Sequence, residues 1–238
     1  GLTGNYWLRE KDENGDEIEG GRYQIDPTTG LYKTQGTQNN VIGNREPSMI
    51  GGLTSNFRWK DLSFSFLFDF RLGGDIYNGT QYYLTTRGQS MRTLENNRTK
   101  ISFSGVNSKT GDAMDVTYEA GQSYNINGTV YSGEYMIQQY WSNYGDNAYN
   151  FLQSVNWLRL RNVNLSYDFS NLIKGQDVLK GLVATFTANN LFYVTNYVGG
   201  MDPEASMGSG TGGSGSVGID YCGVPSQRSF SFGLNLTF

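Results

Sequence analysis

The sequence contains no histidine and a single cysteine, Cys222, among 238 residues. Without imidazole there is no Ser-His-Asp or Cys-His nucleophile and no histidine-bearing zinc site. One thiol closes no disulfide within the chain and builds no cysteine metal cluster. Proline is scarce, at 4 residues, and no run of about 18 apolar residues occurs, which excludes a transmembrane helix. A transmembrane β-barrel escapes that exclusion, because its strands are apolar on one face only and average out polar. Charge is thin too, with 18 Lys plus Arg against 22 Asp plus Glu for a net −4. A nucleic-acid binder needs a basic stripe, so nucleic acid is not an expected partner.

What the chain has in quantity is Gly (32), Tyr (17) and Phe (13), set among Asn, Ser and Thr. These are residues of turns and strands rather than of helices. Mean hydropathy is −0.50, the value of a soluble protein or of strands with one wet face. The chain starts at Gly1 without an initiator Met and stops at Phe238, the end of a strand-like run, so a mature or cut piece of a longer protein is expected.

Period-2 alternation is the informative signal. From Leu62 to Leu72 one face carries Leu62, Phe64, Phe66, Phe68, Phe70 and Leu72, opposed by Ser63, Ser65, Leu67, Asp69 and Arg71. Ser229 to Phe238 repeats the pattern with Phe230, Phe232, Leu234, Leu236 and Phe238. Both runs have the roughly 9–11 residues of a tilted membrane-crossing strand. Ser48–Trp59, Trp157–Phe169 and Leu182–Asn189 fit less cleanly. In Trp157–Phe169, Leu158 and Leu160 are out of phase with Val163, Leu165 and Tyr167, a slip near Arg161-Asn162 that a β-bulge would produce.

The connections alternate long and short. Lys60-Asp61 is a tight turn, and the link from Phe169 to Leu182 is short, whereas the segments 73–155 and 194–227 are long. Long loops on one side and short turns on the other are the asymmetry of an outer-membrane barrel. The expected fold is therefore all-β, the strands of an antiparallel transmembrane barrel, with 73–155 and 194–227 as long extracellular loops. Five strands close no barrel, since about eight are the minimum. An open sheet in hydrocarbon leaves unsatisfied edges, so polypeptide from outside the chain must complete it.

Three stretches resemble the C-terminal part of SusC/RagA-family TonB-dependent transporters. The first is Val41-Ile42-Gly43-Asn44-Arg45-Glu46-Pro47, with Gly73-Gly74-Asp75-Ile76-Tyr77-Asn78-Gly79-Thr80 after the hairpin. The second is Trp157-Leu158-Arg159-Leu160-Arg161-Asn162-Val163-Asn164-Leu165-Ser166-Tyr167. The third runs from Thr187-Ala188-Asn189-Asn190-Leu191-Phe192 through Asp202-Pro203-Glu204 to Pro225-Ser226-Gln227-Arg228 and the terminal strand. The resemblance covers nearly the whole chain. It implies a 22-stranded barrel in the bacterial outer membrane, with the plug and TonB box lying outside this sequence. It also implies TonB-energised import of glycan fragments or peptides, with a SusD-like surface lipoprotein over the mouth. No catalysis is expected; the runner-up function is a secreted, soluble β-sandwich that binds glycans.

Candidate site residues follow from that frame. Phe64, Phe66, Phe68, Phe70, Phe230, Phe232, Leu234 and Leu236 are expected to face lipid, and Phe238 to act as the C-terminal assembly signal. Asp69, Arg71 and Arg58, on the polar faces, are expected to look towards the lumen or plug, and Trp59 and Trp157 suit an interfacial aromatic belt. Within 73–155, Tyr140 and Trp141, with Tyr144, Tyr82 and Tyr83, offer flat rings among amides, suited to an oligosaccharide or peptide. Asp12, Asn14 and Asp16 resemble the start of a Ca²⁺ loop, but Glu17 stands where the turn needs Gly and position 12 falls on Tyr23, so a solvated acidic turn is the simpler expectation. Gly208–Gly213 matches Gly-x-Gly-x-x-Gly with no helix pattern after it, and reads as a flexible loop.

Overall fold

Phenylalanine alternation becomes sheet register directly. The computed structural model describes residues 1–36, 40–175, 178–204 and 218–238, so the Gly-rich motif at 208–213 lies outside the described residues. The chain divides into two compact units, Gly1–Asn44 with Tyr77–Leu152, and Arg45–Ile76 with Gln153–Phe238.

The second unit is built on five antiparallel strands: β1 (Met49–Trp59), β2 (Leu62–Leu72), β3 (Trp157–Asp168), β4 (Gly181–Thr195) and β5 (Ser229–Thr237). They lie in the order β5-β4-β3-β2-β1 as an open sheet; the described residues form no closed barrel. The turn at Lys60-Asp61 is the tight one expected, with Lys60 in the left-handed region at φ +53°. Pairings across the sheet gather the apolar residues on one side, as in Phe57 opposite Phe64, Phe66 opposite Val163, Leu165 opposite Phe186 and Phe186 opposite Phe232. The rings touch sideways, Phe66 to Phe68 at 5.5 Å and Phe186 to Phe232 at 4.9 Å between centroids.

The phase slip in β3 is a bulge, and it keeps that face continuous. The register shifts between Leu160 and Asn162 against both neighbours. Phe68 and Leu67 are adjacent on β2, one residue (Arg161) intervenes on β3, and two (Asn190 and Leu191) intervene on β4. Because side-chain direction alternates strictly, the extra Arg161 returns Val163 and Leu165 to the face held by Leu158 and Leu160. Asn190 absorbs the distortion at φ +51°, a region Asn tolerates, and its amide donates to the Gln227 carbonyl at 3.0 Å. Asn190→Val is expected to cost about 1–2 kcal/mol, because a β-branched side chain clashes there, and Asn190→Gly less. Urea unfolding of the two variants and the parent would show this order. β4 is also longer than the Leu182–Asn189 alternation indicates: it continues past the Asn pair to Thr195.

The segment 73–155, expected as a long extracellular loop, carries strands and helices of its own within the first unit. Residues 77–152 fold with 1–44 around a four-stranded sheet, in the order Leu31–Tyr32, Gln24–Asp26, Lys100–Asn107, Ala113–Glu119. Gln24–Asp26 runs parallel to Lys100–Asn107 and the other pairs are antiparallel. Two helices, α1 (Gly79–Thr86) and α2 (Gly133–Asp146), make this unit mixed rather than all-β, although the chain as a whole is mostly strand. Ser132 caps α2 by accepting from the Tyr135 N–H at 3.3 Å, and Gly133 opens it where a Cβ would run into the Glu119 carbonyl. The core is aromatic-rich: Trp7, Tyr32, Phe103, Tyr118 and Trp141 pack with Ile25, Ile101 and Met136.

Candidate functional site

The charged residues of the β2–β3 polar face converge on one cluster. Opposite register places Asp69 of β2 across from Arg159 of β3, and Tyr193 of β4 on the other side of Arg159. Arg159 is 2% exposed, the largest fully buried side chain described. Its Nη2 donates to Asp202 Oδ1 at 2.6 Å, and its Nε lies 2.8 Å from Glu204 Oε2 without hydrogen-bond alignment. Its guanidinium carbon sits 5.0 Å from the Tyr193 ring centroid. Arg161, the bulge residue, donates to Asp69 Oδ2 at 2.7 Å, pairs with Glu204 Oε1 and covers Trp157.

Asp202 is the hub on the loop side. Its Oδ1 also accepts from the Glu204 N–H, and its Oδ2 accepts from the Ser226 N–H, each at 3.0 Å. Burial, the largest single influence, would raise its pKa, but the Glu204 N–H, the Arg159 guanidinium and Ser226 outweigh burial. The carboxyl stays below its ordinary range. A charged arginine in so dry a place is tolerable only because it is paired on several sides. The cluster thus clasps the stretches around Asp202 and Ser226 to the sheet. Its partners hold Asp202 in the charged form, the opposite of the protonated carboxyl that a general acid near neutrality needs. Next to the clasp, Tyr197 donates to Asp220 Oδ2 at 2.7 Å and packs with Ile76, Val155 and Trp157.

The expected site residues fall in several places. Phe64, Phe66, Phe68 and Phe70 lie half-buried on the apolar face, beside exposed Leu53, Phe57 and Trp59. On β5, Phe230, Phe232, Leu234 and Leu236 are 47–83% exposed, and Phe238 lies exposed just past the strand. Trp59 sits open at the turn, whereas Trp157, assigned from sequence to an interfacial belt, points to the polar side and is buried. Arg71 does not hang free: it donates to the Gly73 and Arg45 carbonyls at 3.0 and 2.9 Å.

The structure brings Tyr140, Trp141 and Tyr144 together on α2, turned towards the core of the first unit. Trp141 is 9% exposed, Tyr140 lies 4.9 Å from Phe103, and Tyr144 rests on Trp7 and Phe151. Burial raises the pKa of Tyr140, as expected of a phenol serving as core. Tyr82 packs on Tyr77 and Phe151, and Tyr83 keeps the most open ring of the five, at 38%. Met136, Ile137, Tyr140, Trp141 and Tyr144 recur at helical spacing, so the signal that these rings form a packing stripe was present in the sequence. Asp12 Oδ1 accepts from the N–H groups of Asn14 and Asp16 at 2.9 and 3.0 Å, and so closes an exposed Asx turn. Among the described residues no three acidic or sulfur ligands converge on a metal position. Sequence reading missed the clasp. Its signal was Trp157, Arg159 and Arg161 at alternate positions, but its partners lie 43 residues downstream.

No protein-family model matches the chain. It is 28% identical over 200 residues to the TonB-dependent receptor P39 of Formosa agariphila, covering 83% of this chain and 17% of that protein. It is also 28% identical over 192 residues to the TonB-dependent receptor SusC of Bacteroides thetaiotaomicron, covering 80% of this chain and 15% of that one. Among solved structures it superimposes on a chain of the RagAB peptide importer in its closed-closed state. The TM-score is 0.53 at 19% identity, over 100% of this chain and 22% of that one, a likeness of fold. The chain spans about a fifth of the length of the curated relatives it matches.

Proposed function

We propose that this chain, a partial match to TonB-dependent receptors of the SusC/RagA type, contributes barrel wall and mouth to an outer-membrane importer of oligomeric nutrients. The observation that carries the reading is the apolar face of the five-stranded sheet. Phe232 is 83% exposed and Leu234 72%, and the described part of this unit supplies no second layer over them. In water such a face is an aggregation liability; in a bilayer it is lipid-facing wall, framed by Trp59 at the turn. The two outer strands, β1 and β5, are each paired on one side only among the described residues. They would continue into the remaining strands of the same barrel, with Phe238 acting in assembly.

In this reading the nutrient is a glycan fragment or a peptide, and no bond in it is made or broken. TonB energises transport through the plug, and a SusD-like lipoprotein closes the mouth from outside, as the pairing named in the RagAB complex supports. The clasp holds a mouth segment against the polar face.

Membrane fractionation and uptake test the proposal. The protein carrying this chain is expected in the outer-membrane fraction, extracted only by detergent and heat-modifiable on gels, with uptake lost when TonB is deleted. Recovery as a soluble monomer in plain buffer would instead establish the secreted β-sandwich.

A further inference from the structure

Within the first unit a cleft of about 380 Å³ lies between α2 and the hairpin that pairs Gln24–Asp26 with Leu31–Tyr32. Gln139, Ser142, Asn143 and Asp146 line it from the helix side. They stand at positions i, i+3, i+4 and i+7 of α2, which is one face of a helix. Asp26 and Lys33 line it from the hairpin side.

Three oxygens in this lining have unused acceptor capacity. Asn143 is 8% exposed, and its donors fix the orientation of the amide. Its Nδ2 donates to the Tyr32 carbonyl at 3.0 Å and lies 3.4 Å from Thr34 Oγ1, which leaves Oδ1 without a hydrogen-bond partner. A buried amide oxygen with no donor is rare in a folded protein and marks a place for a water or an ion. Asp146, three residues on, is open to solvent and forms no ion pair among the described residues. Desolvation by the protein around it pushes its carboxyl pKa up, and the Asn143 amide offsets this only in part. On the hairpin, the Thr28 N–H and hydroxyl both bond Asp26 Oδ1, at 2.8 and 2.6 Å, so Oδ2 keeps its lone pairs for another partner. Two carboxylates against the single ammonium of Lys33 leave the lining net negative.

We infer that this cleft binds a calcium ion, with Asn143 Oδ1 and the Asp146 carboxylate as its ligands from α2. Side chains three apart on a helix are neighbours, so the two can reach one ion together. Asp26 Oδ2, the Gln139 amide and waters are left to complete the shell. The lining holds neither thiolate nor imidazole, which removes the ligands that zinc and copper prefer. Calcium accepts about six to eight oxygens in flexible geometry, amide carbonyls and waters included, whereas magnesium gives up its waters reluctantly. A water would answer Asn143 but not the net charge. An ammonium is already present as Lys33 and leaves Asp146 unpaired, so a doubly charged ion has the advantage over another single charge. With two carboxylates opposed by Lys33, the affinity belongs with that of weak extracellular calcium modules, a Kd of about 10⁻⁴–10⁻³ M. The donor set differs in kind from the acidic or sulfur triads absent among the described residues. Bound there, the ion ties α2 to the hairpin, and this role does not rest on the import reading.

The test is calorimetric titration of the chelator-stripped, detergent-solubilised full-length protein with Ca²⁺, alongside Tb³⁺ emission sensitised through Tyr32, which lines the cleft. Asp146→Asn is expected to bind one calcium fewer per chain, or to bind it at least tenfold more weakly, and to lose the matching share of the emission. Ca²⁺ should raise the melting midpoint of the parent more than that of Asp146→Asn. Lys33→Gln, at an exposed position, should tighten binding several-fold, a gain that misfolding cannot produce. Asp16→Asn, in the exposed acidic turn, should bind as the parent does. The inference is overturned if no calcium binds by about 10 mM, tenfold above the weakest such modules. It is overturned equally if Asp146→Asn binds as the parent does, if Asp16→Asn is the variant that loses the ion, or if n-butylammonium rather than Ca²⁺ is the ligand that Asp146→Asn loses.

Discussion

Asp202→Ala is expected to destabilise the protein by about 3–5 kcal/mol, because it strands a guanidinium that has almost no access to water. Arg159 is 2% exposed and Asp202 is 3% exposed, so water cannot replace the lost 2.6 Å bond without opening the loop. The same change frees the N–H groups of Glu204 and Ser226. Hydrogen exchange should therefore rise over 196–204 and 218–228 and stay low in β2 and β3. The double change Arg159→Met with Asp202→Leu should recover much of the loss, since burying neither charge avoids the desolvation cost. A single Asp202→Ala costing under about 1 kcal/mol would show that the pair is solvated and the clasp is not a clasp.

The pH dependence has a definite sign. The folded pKa of Asp202 is depressed. Its contribution is thus fully present above the ordinary aspartate value of about 3.9 and is lost as pH falls through the lower folded value. Asp202→Asn keeps the shape but cannot ionise. Its melting temperature should be lower than the parent's at neutral pH, and the difference should shrink as the solution is acidified below about pH 4. A difference that grows on acidification would assign the effect to another group.

The sheet was legible in the sequence for a simple physical reason. Strand side chains alternate with period two, and Phe64, Phe66, Phe68 and Phe70 leave no helical alternative. Even the bulge could be read, since the change of phase between Leu160 and Val163 has few other causes. The end of β4 could not, because Asn189-Asn190 resembles a turn and is instead a left-handed kink within a longer strand. The first unit was hidden by the distances over which it pairs. Gln24–Asp26 is three residues long and finds its parallel neighbour about 80 positions later, so no local window shows it. Ile101-Ser102-Phe103 and Met114, Val116, Tyr118 did alternate, and the tyrosines around them drew the reading towards a binding loop. The rings of α2 illustrate the ambiguity: aromatic residues serve ligands and cores alike, and the helical period of Met136, Ile137, Tyr140, Trp141 and Tyr144 decides for the core. The clasp was half visible, as two arginines on one strand and Asp69 on the polar face of another, but no local pattern tied Asp202 and Glu204, 43 residues downstream, to those arginines.

Phe232→Arg and Leu234→Arg should each cost about 2–4 kcal/mol in a bilayer, the penalty for a cation near the midplane on the outer face of a barrel. Both residues sit mid-strand in β5, at 83% and 72% exposure, with only sideways neighbours such as Phe186. Ser231→Arg, on the opposite side of the same strand, should be tolerated, because the polar face carries charge already at Asp69, Arg159 and Arg161. The penalty should also fall towards the strand ends, so that Phe230→Arg and Leu236→Arg cost less than the central pair. This profile separates the environments that an exposed apolar face allows. If that face met water, arginine would be neutral or would improve solubility; if it met a second protein layer, Phe230 would be as sensitive as Phe232 wherever packing is equally tight. Only hydrocarbon gives a loss that is face-specific and depth-dependent at once. Folding yield into lipid vesicles, measured for these five variants by heat-modifiable gel mobility, therefore tests the membrane reading without reference to any substrate. Equal yields for Phe232→Arg and Ser231→Arg would end it.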